Sequence, residues 1–334
     1  MSKRSICLIG NGVTAHYFLF LLSSVKLSFD IHIKWIYSEK LFPRVNDQIW
    51  PIVTLNGIQK GINVLGDSLH ESFFHFLRVN NTYQFANKIE QFLICNNKDP
   101  LDRDNFKRRH GRVDKINFCG EVVDGVCLES FFVVPSEFFG EIETKVQNNN
   151  FLFLEKIEGL VTEVKPIKND FLISLLDGTE ISTNNCFVFA GVGSKFLPVD
   201  FFEGSKVQRN QISKGGIFCS ACNIENHQKF ILTQGKDNII FDGNGYIQTN
   251  IAPCVKESFL KDFYEDRFGP LFNKDNVSEF IGLRDKGHKR RPNKYLINDP
   301  QRFLFKLNGL YKNAWTIGLK EVDEVLKIWL ERTD

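Results

Sequence analysis

Six residues near the start constrain this chain more than any others. Gly10-Asn11-Gly12-Val13-Thr14-Ala15 fits the pattern G-x-G-x-x-G/A and stands between two apolar segments of different character. Ser5 to Ile9 is short and apolar and predicts a buried strand, whereas Val13 to about Lys26 is apolar over a helical length. The first glycine permits a tight turn, the second lets the backbone come close to a ligand, and the small Ala15 lets the helix pack against the strand. Free N–H groups and the dipole at the helix start favour a pyrophosphate there. Ile31 to Tyr37 is β-branched and aromatic and predicts a second strand, which completes a βαβ unit. A lone glycine pattern is weak, but this strand–turn–helix context gives it weight. Dinucleotide binding is therefore expected of Gly10, Gly12, Val13, Thr14 and Ala15.

One usual element is missing. The second strand of such a unit normally ends on an acid that bonds the ribose hydroxyls. Here the strand ends Trp35-Ile36-Tyr37-Ser38-Glu39-Lys40. Ser38, or Glu39 after a small shift, is left to bond the ribose, while Lys40 would alternatively face a 2′-phosphate.

The remaining chain alternates between strand-like and helical runs without an internal repeat. Asp67 to about Asn97 reads as helix and strand around an aromatic core, and Asp99 to Lys115 as a charged surface excursion. Pro135-Ser136-Glu137 opens a helix to Gln147, with Ser136 as its cap. Asp177-Gly178 predicts a hairpin turn, and Cys186 to Ala190 an apolar strand running into Gly191-Val192-Gly193. A helix is expected over Lys256 to Arg267. The end returns to strand (Phe303 to Leu307), glycine turn and helix (Thr316 to Leu330).

With 334 residues the expectation is about two domains. Lys plus Arg is 42 and Asp plus Glu is 40, so charge gives no case for nucleic acid or an anionic membrane as partner. The longest apolar stretch is too short to span a bilayer. The eight cysteines mostly sit in apolar runs, which suits free thiols in a soluble, cytoplasmic protein. Cys219-Ser220-Ala221-Cys222 has only His227 close by, too few ligands for zinc, so no metal is expected. His16, directly after the glycine pattern, reads as an ordinary packed histidine.

Several segments, in order, resemble the D-amino-acid-oxidase-like FAD-dependent oxidoreductases. The N-terminal unit matches their FAD fingerprint. Thr54-Leu55-Asn56-Gly57 resembles the segment that passes the flavin, and Leu160 to Val164 the strand whose backbone contacts adenine. Phe187 to Ser194, with Ala190 and Gly191, is similar to the family's apolar strand and A-G-x-x-S loop. Ile281-Gly282-Leu283-Arg284 resembles its G-x-R-P region, and Gly309-Leu310-Tyr311-Lys312-Asn313-Ala314 the last loop, which holds the flavin pyrimidine edge.

The resemblance implies FAD as cofactor and an α/β fold. A Rossmann-like, three-layer FAD-binding domain with a parallel sheet would comprise residues 1–65, 145–200 and 281–334. An interleaved α+β substrate domain on a mixed or antiparallel sheet would comprise 66–144 and 201–280. Cofactor contacts fall on Thr54, Asn56, Val164, Ala190, Gly191, Gly309, Leu310, Tyr311, Lys312 and Asn313. Arg284 is the candidate clamp for the carboxylate of a small, anionic substrate, and Tyr246 a candidate wall of the flavin side. The basic run Lys286 to Arg291 reads as a solvated loop, or as one that attracts an acidic substrate.

A second resemblance is to flavin-dependent tryptophan halogenases, through Gly10 to His16 and Asn81-Thr82-Tyr83-Gln84-Phe85. Gln84 stands where those enzymes carry their active-site lysine, which argues against halogenation and leaves the hydroxylase-like relatives open. Three functions compete: an FAD oxidoreductase acting on an amine, amino acid or hydroxy acid, a flavin monooxygenase, and a non-catalytic protein that kept the fold.

Overall fold

A computed structural model describes residues 3–39, 51–54, 68–94, 104, 106–107, 113–118, 121–191, 193, 197, 211–221, 230–234, 237–241, 246–251, 277–286, 292–310 and 314–332. Lys40, Asn56, Tyr311, Lys312, Asn313, the expected helix over 256–267 and the basic residues 287–291 lie outside them.

Strand β1 (Lys3–Ile9) leads into helix α1 (Val13–Ser24), and β2 (Asp30–Tyr37) returns parallel to β1 with Ile9 beside Ile36. There follow β3 (Ile52–Thr54), α2 (Ser68–Tyr83), β4 (Asn87–Ile94), β5 (Asp114–Phe118), β6 (Glu121–Phe132) and α3 (Pro135–Gln147). The middle of the chain forms β7 (Leu152–Glu158), β8 (Val161–Ile167), β9 (Asp170–Leu175), β10 (Glu180–Thr183) and β11 (Asn185–Val188). Next come β12 (Gln211–Ala221), β13 (Phe230–Gln234), β14 (Asp237–Phe241), β15 (Tyr246–Ile251) and β16 (Val277–Lys286). The last elements are β17 (Asn293–Asn298), β18 (Phe303–Asn308), a π-helical turn (Ala314–Gly318) and α4 (Leu319–Glu331).

These strands build three sheets. The first has the order β17-β18-β11-β1-β2-β7, parallel except for the antiparallel edge strand β17. A small antiparallel sheet, β10-β9-β8, lies beside it. The third runs β16-β12-β15-β14-β13-β4-β6-β3, with β5 also paired to β6, and is antiparallel apart from β13 against β4. The chain interleaves them. Strands of the parallel sheet come from 3–37, 152–188 and 293–308, and those of the large mixed sheet from 52–132 and 211–286.

Alternation along the parallel strands explains the layering. Ile6, Leu8, Phe187, Phe303 and Phe305 point into one cluster with α1, α3 and α4, whereas Cys7, Ile9, Cys186, Val188 and Leu304 point into another with β8–β10. Both faces are covered, as a parallel sheet requires. Phenylalanines fill the helical side: Phe18 of α1 lies 4.3 Å from Phe187, and Phe187 meets Trp329 edge-on. Asn185 ties the layers, donating from Nδ2 to the Ser5 carbonyl at 3.0 Å and accepting the Trp329 indole N–H at 2.9 Å. Cys7 and Cys186 sit opposite each other in β1 and β11 as free thiols, and burial pushes both up in pKa.

The structure corrects one capping assignment. Ser136 lies inside α3 rather than ahead of it. The N-cap is Val134 and makes no side-chain bond, because Pro135, whose ring presets a helical φ and lacks an N–H, takes the first helical position. The Asp177-Gly178 hairpin forms as expected, with Gly178 at φ +87 and the Asp177 carboxylate accepting from the Thr179 N–H. Among the described residues no helix is long and apolar enough to cross a membrane, and no group of three His, Cys, Asp or Glu could hold a metal ion.

Candidate functional site

The three adjacent parallel strands β18, β11 and β1 each end in a glycine with positive φ. Gly10 follows β1 at φ +120, Gly191 lies just beyond β11 at +52, and Gly309 follows β18 at +75. Side-chain-bearing residues rarely adopt such backbone. All three glycines therefore turn the chain away at the carboxyl edge of the sheet. That edge, where β1 goes on to β2 on one side and faces β11 on the other, is where open α/β sheets bind ligands.

The glycine turn is built differently at its two glycines. Gly10 backs onto protein: an added Cβ would stand 2.4 Å from the Phe189 carbonyl oxygen. Its N–H donates to the Ile36 carbonyl at 2.9 Å, which fastens the turn to β2. Gly12 is the N-cap of α1, and a Cβ there would meet nothing within 4 Å. Helix α1 has no side-chain cap and no acid in its first turn. The Ala15 and His16 N–H groups both fold back onto the Gly12 carbonyl, at 3.1 and 3.2 Å. The N–H groups of Val13 and Thr14, at the first two helical positions, have no acceptor within the helix. A bare helix start beside open space is what a diphosphate needs, so the residues present fit the phosphates of a dinucleotide.

Two ring nitrogens grip the turn from behind. Trp35 Nε1 donates to the Gly10 carbonyl at 2.6 Å, and His16 Nδ1 lies 3.0 Å from the Gly12 carbonyl. His16 is wholly buried, stacked on Phe139 at 3.9 Å with Trp35 edge-on at 5.1 Å. Its Nε2 faces Glu143 Oε1 at 3.9 Å, and Lys156 bonds the other Glu143 oxygen. His16 and then Lys156 hold the Glu143 carboxyl down to about 2. Sequence reasoning missed this group, because Glu143 is 127 positions from His16 and no local pattern links them.

Glu39 stands past the end of β2, and its Oε1 accepts from Asn11 Nδ2 at 3.1 Å. The turn and the acid beyond the strand end are thus in direct contact. Ser38 beside it is half-buried.

The other expected cofactor residues are distributed as follows. Thr14 is buried and faces Gly318 of the π-helical turn, while Val13 and Ala15 are core, so only the backbone of these three is available to a ligand. Ala190 and Gly191 are half-buried, and nothing stands within 4 Å of the position a Gly191 Cβ would take. Leu310 is a core side chain resting over Gly318. The Val164 side chain is buried between β8–β10 and the parallel sheet. Thr54 pairs with Ser130 in the large mixed sheet, and its hydroxyl donates to Gln91 at 2.6 Å.

Arg284 and Tyr246 are not brought together. Both pair with β12, Arg284 opposite Ser213 and Tyr246 opposite Ala221. Eight positions along a strand is about 26 Å, too far for one small molecule to touch both. Gln84 is an exposed residue at φ +54 that ends α2, where the Asn80 side chain pairs with the backbone of Ala86, so it closes a helix at the surface.

The π-helical turn also meets α1. The Tyr17 hydroxyl donates to the Trp315 carbonyl at 3.0 Å, which ties the first helix to the turn. A separate groove of about 470 Å³ between α2 and α4, lined by Glu71, Phe74, Leu77, Arg78, Asn81 and Lys320, contains none of the expected site residues.

No protein-family model and no curated protein matches the chain. Solved structures do. The chain is similar to glycine oxidase from Bacillus cereus ATCC 14579, with a TM-score of 0.70 at 12% identity, over 97% of this chain and 95% of that one. Against L-proline dehydrogenase from P. horikoshii the TM-score is 0.68 at 12% identity, over 96% and 91%. Against dithionite-reduced L-α-glycerophosphate oxidase from Mycoplasma pneumoniae, which has FAD bound, it is 0.67 at 14% identity, over 98% and 94%. At such identities the likeness shows the fold. It is the expected one, a parallel three-layer unit interleaved with a mixed sheet.

Proposed function

We propose that this chain is an FAD-dependent oxidoreductase that takes hydride from a C–H bond of an amine, amino acid or hydroxy acid. The single observation that carries the reading is the carboxyl edge of the parallel sheet, where three left-handed glycines converge beside the uncapped start of α1. Support comes from the glycerophosphate oxidase with FAD bound, whose fold the chain shares along nearly its whole length. Glycine oxidase and proline dehydrogenase, which share the fold too, point to an amine or amino acid.

When bound, FAD supplies the hydride acceptor. The N–H groups of Val13 and Thr14 take the diphosphate, and Glu39, held by Asn11, takes the adenosine ribose. The backbone of Ala190, Gly191, Gly309 and Leu310 would line the cofactor along that edge. We assign the substrate carboxylate to Arg284, whose planar fork bonds both oxygens of a carboxylate. Tyr246, opposite the other end of β12, is left as a wall rather than a partner of Arg284. We place the enzyme in the cytoplasm, where the buried free thiols of Cys7 and Cys186 are stable.

The test is direct. Purified protein should show flavin absorption bands, and those bands should bleach anaerobically with one member of a panel of amino acids, amines and hydroxy acids. Peroxide release in air then marks an oxidase, and bleaching without it a dehydrogenase. Colourless protein that takes up no added FAD would overturn the proposal.

A further inference from the structure

We propose that the outer face of helix α2 is the contact surface of a symmetric dimer of this chain, in which Phe74 of each copy enters the groove between α2 and α4 of the other and Glu71 of each meets Arg78 of the other. The proposal stands apart from the cofactor reading above.

Helical spacing builds the face. Phe73 and Phe76 of α2 turn into the core, whereas Phe74 between them is carried outward and is 55% exposed. No Phe, Tyr or Trp among the described residues is more exposed. Glu71, Phe74, Arg78 and Asn81 follow one another at intervals of three, four and three residues, so they form one stripe along the helix. Beside the stripe lies the groove, with half-buried Leu77 in its wall and Lys320 of α4 across from it. A ring standing next to an open groove presents a knob and a hole on one surface. Two copies of such a surface fill each other about a two-fold axis.

The charges select a second copy as the occupant. Glu71 Oε2 bonds Lys320 Nζ at 3.0 Å, and Lys320 also lies 3.2 Å from Glu324 Oε1, so two acids share that base. Asp323 and Lys327, farther along α4, pair with each other. Arg78 has no acidic partner among the described residues, and its guanidinium lies 3.4 Å from His75 Nδ1. The face thus carries two acids and two bases around the groove, with the unanswered base at one end of the stripe and the shared acid at the other. It has no net charge to drive two copies apart.

Symmetry then brings the ends together. A two-fold axis perpendicular to α2 runs the two helices antiparallel and exchanges positions equally far from it. Glu71 lies three residues before Phe74 and Arg78 four residues after it, about 5 Å along the helix in either direction. With Phe74 beside the axis, each Glu71 faces Arg78 of the second copy at both ends of the contact. The Glu71 side chain is 61% exposed and is held within its own chain through Oε2, which leaves Oε1 to the planar fork of the arginine. A helix from an unrelated protein would have to carry this order of charges independently, whereas a second copy supplies it by construction.

Sedimentation velocity on the full chain from about 1 μM to about 200 μM tests the proposal. The wild-type protein should pass from monomer to dimer over that range. Phe74→Ser should weaken the dimer at least about tenfold by removing its central ring. Glu71→Arg sets two bases against each other, and Arg78→Glu two acids, so each should weaken it at least about tenfold. The double variant Glu71→Arg with Arg78→Glu restores opposite charges and should return the dissociation constant to within about threefold of wild type. The three side chains are exposed, and circular dichroism and urea midpoints check that the variants fold. If Phe74→Ser fails to fold, the charge reversals and their combination decide. A monomer at every concentration, a dimer that none of the variants weakens, or a double variant no better than the single ones would each overturn the proposal.

Discussion

Gly10 rests its α-carbon against the backbone of Phe189, so closely that a methyl group there would stand 2.4 Å from the Phe189 carbonyl oxygen. Gly12, two residues on, borders open space. The two glycines therefore make opposite predictions. Gly10→Ala combines a left-handed φ with a backbone clash and should cost about 2 kcal/mol or more, read as a lower urea midpoint. Gly12→Ala should change stability by only about 0.5 kcal/mol. It should still weaken FAD binding severalfold, because the methyl occupies the space a diphosphate approaches through. Calorimetric titration beside the urea curves separates the two effects.

Asn185 satisfies Ser5 of β1 and Trp329 of α4 with one buried amide. Asn185→Leu would leave the Ser5 carbonyl and the Trp329 indole N–H without partners in the core. Stripping two buried polar groups should cost about 3 kcal/mol. The Trp329 fluorescence maximum should shift with the variant even below its unfolding midpoint.

Glu143 sets the acid limit of the α3–α1 contact. Its carboxyl is held at about 2 in the folded protein, against a usual 4.5. A carboxyl depressed by folding contributes stability above its unfolded value and loses it as pH falls through the folded one. Glu143→Gln should therefore be less stable than wild type at neutral pH, with the gap closing between about pH 4.5 and about pH 2. Urea curves across that window test it, and a gap that stays constant with pH would contradict it.

The buried Tyr17 hydroxyl of α1 reaches the Trp315 carbonyl in the π-helical turn. Tyr17→Phe should destabilise the protein by about 1 kcal/mol through the lost buried hydrogen bond. Amide exchange should rise most over residues 314–318, and a uniform rise across α4 would argue against a local role.

Which of these features could be read from the residues alone follows from the range of the forces involved. The glycine turn was legible because each of its determinants is local: an apolar strand ends, a glycine pair intervenes, and an apolar helix begins. The strand–glycine–helix return at Phe303 and Gly309 was legible for the same reason. The Ser136 cap was misread because the preference of proline for the first helical turn competes with that of serine for the cap, and proline won. Strand order in the mixed sheet was not legible. It places β13 parallel to β4, with Phe230 beside Glu90, and pairing across such a separation leaves no local trace. Arg284 and Tyr246 each carried a plausible local context, yet only the register of β12 reveals their separation. The approach of Glu143 to His16 stayed hidden because a histidine on an apolar helix face is written the same way whether or not a carboxylate from another helix faces it.

The glycines that end β1, β11 and β18 belong to stretches of chain made at very different times during synthesis. β18 must pair with β11 before the third of them is in place. A growing polypeptide can thus form its opening βαβ unit early, yet the rim built on that unit stays a notch until residues beyond 309 have emerged and docked. Assembly of the complete rim is by this topology a late event, gated by the final parallel strand rather than by the turn that first announces it.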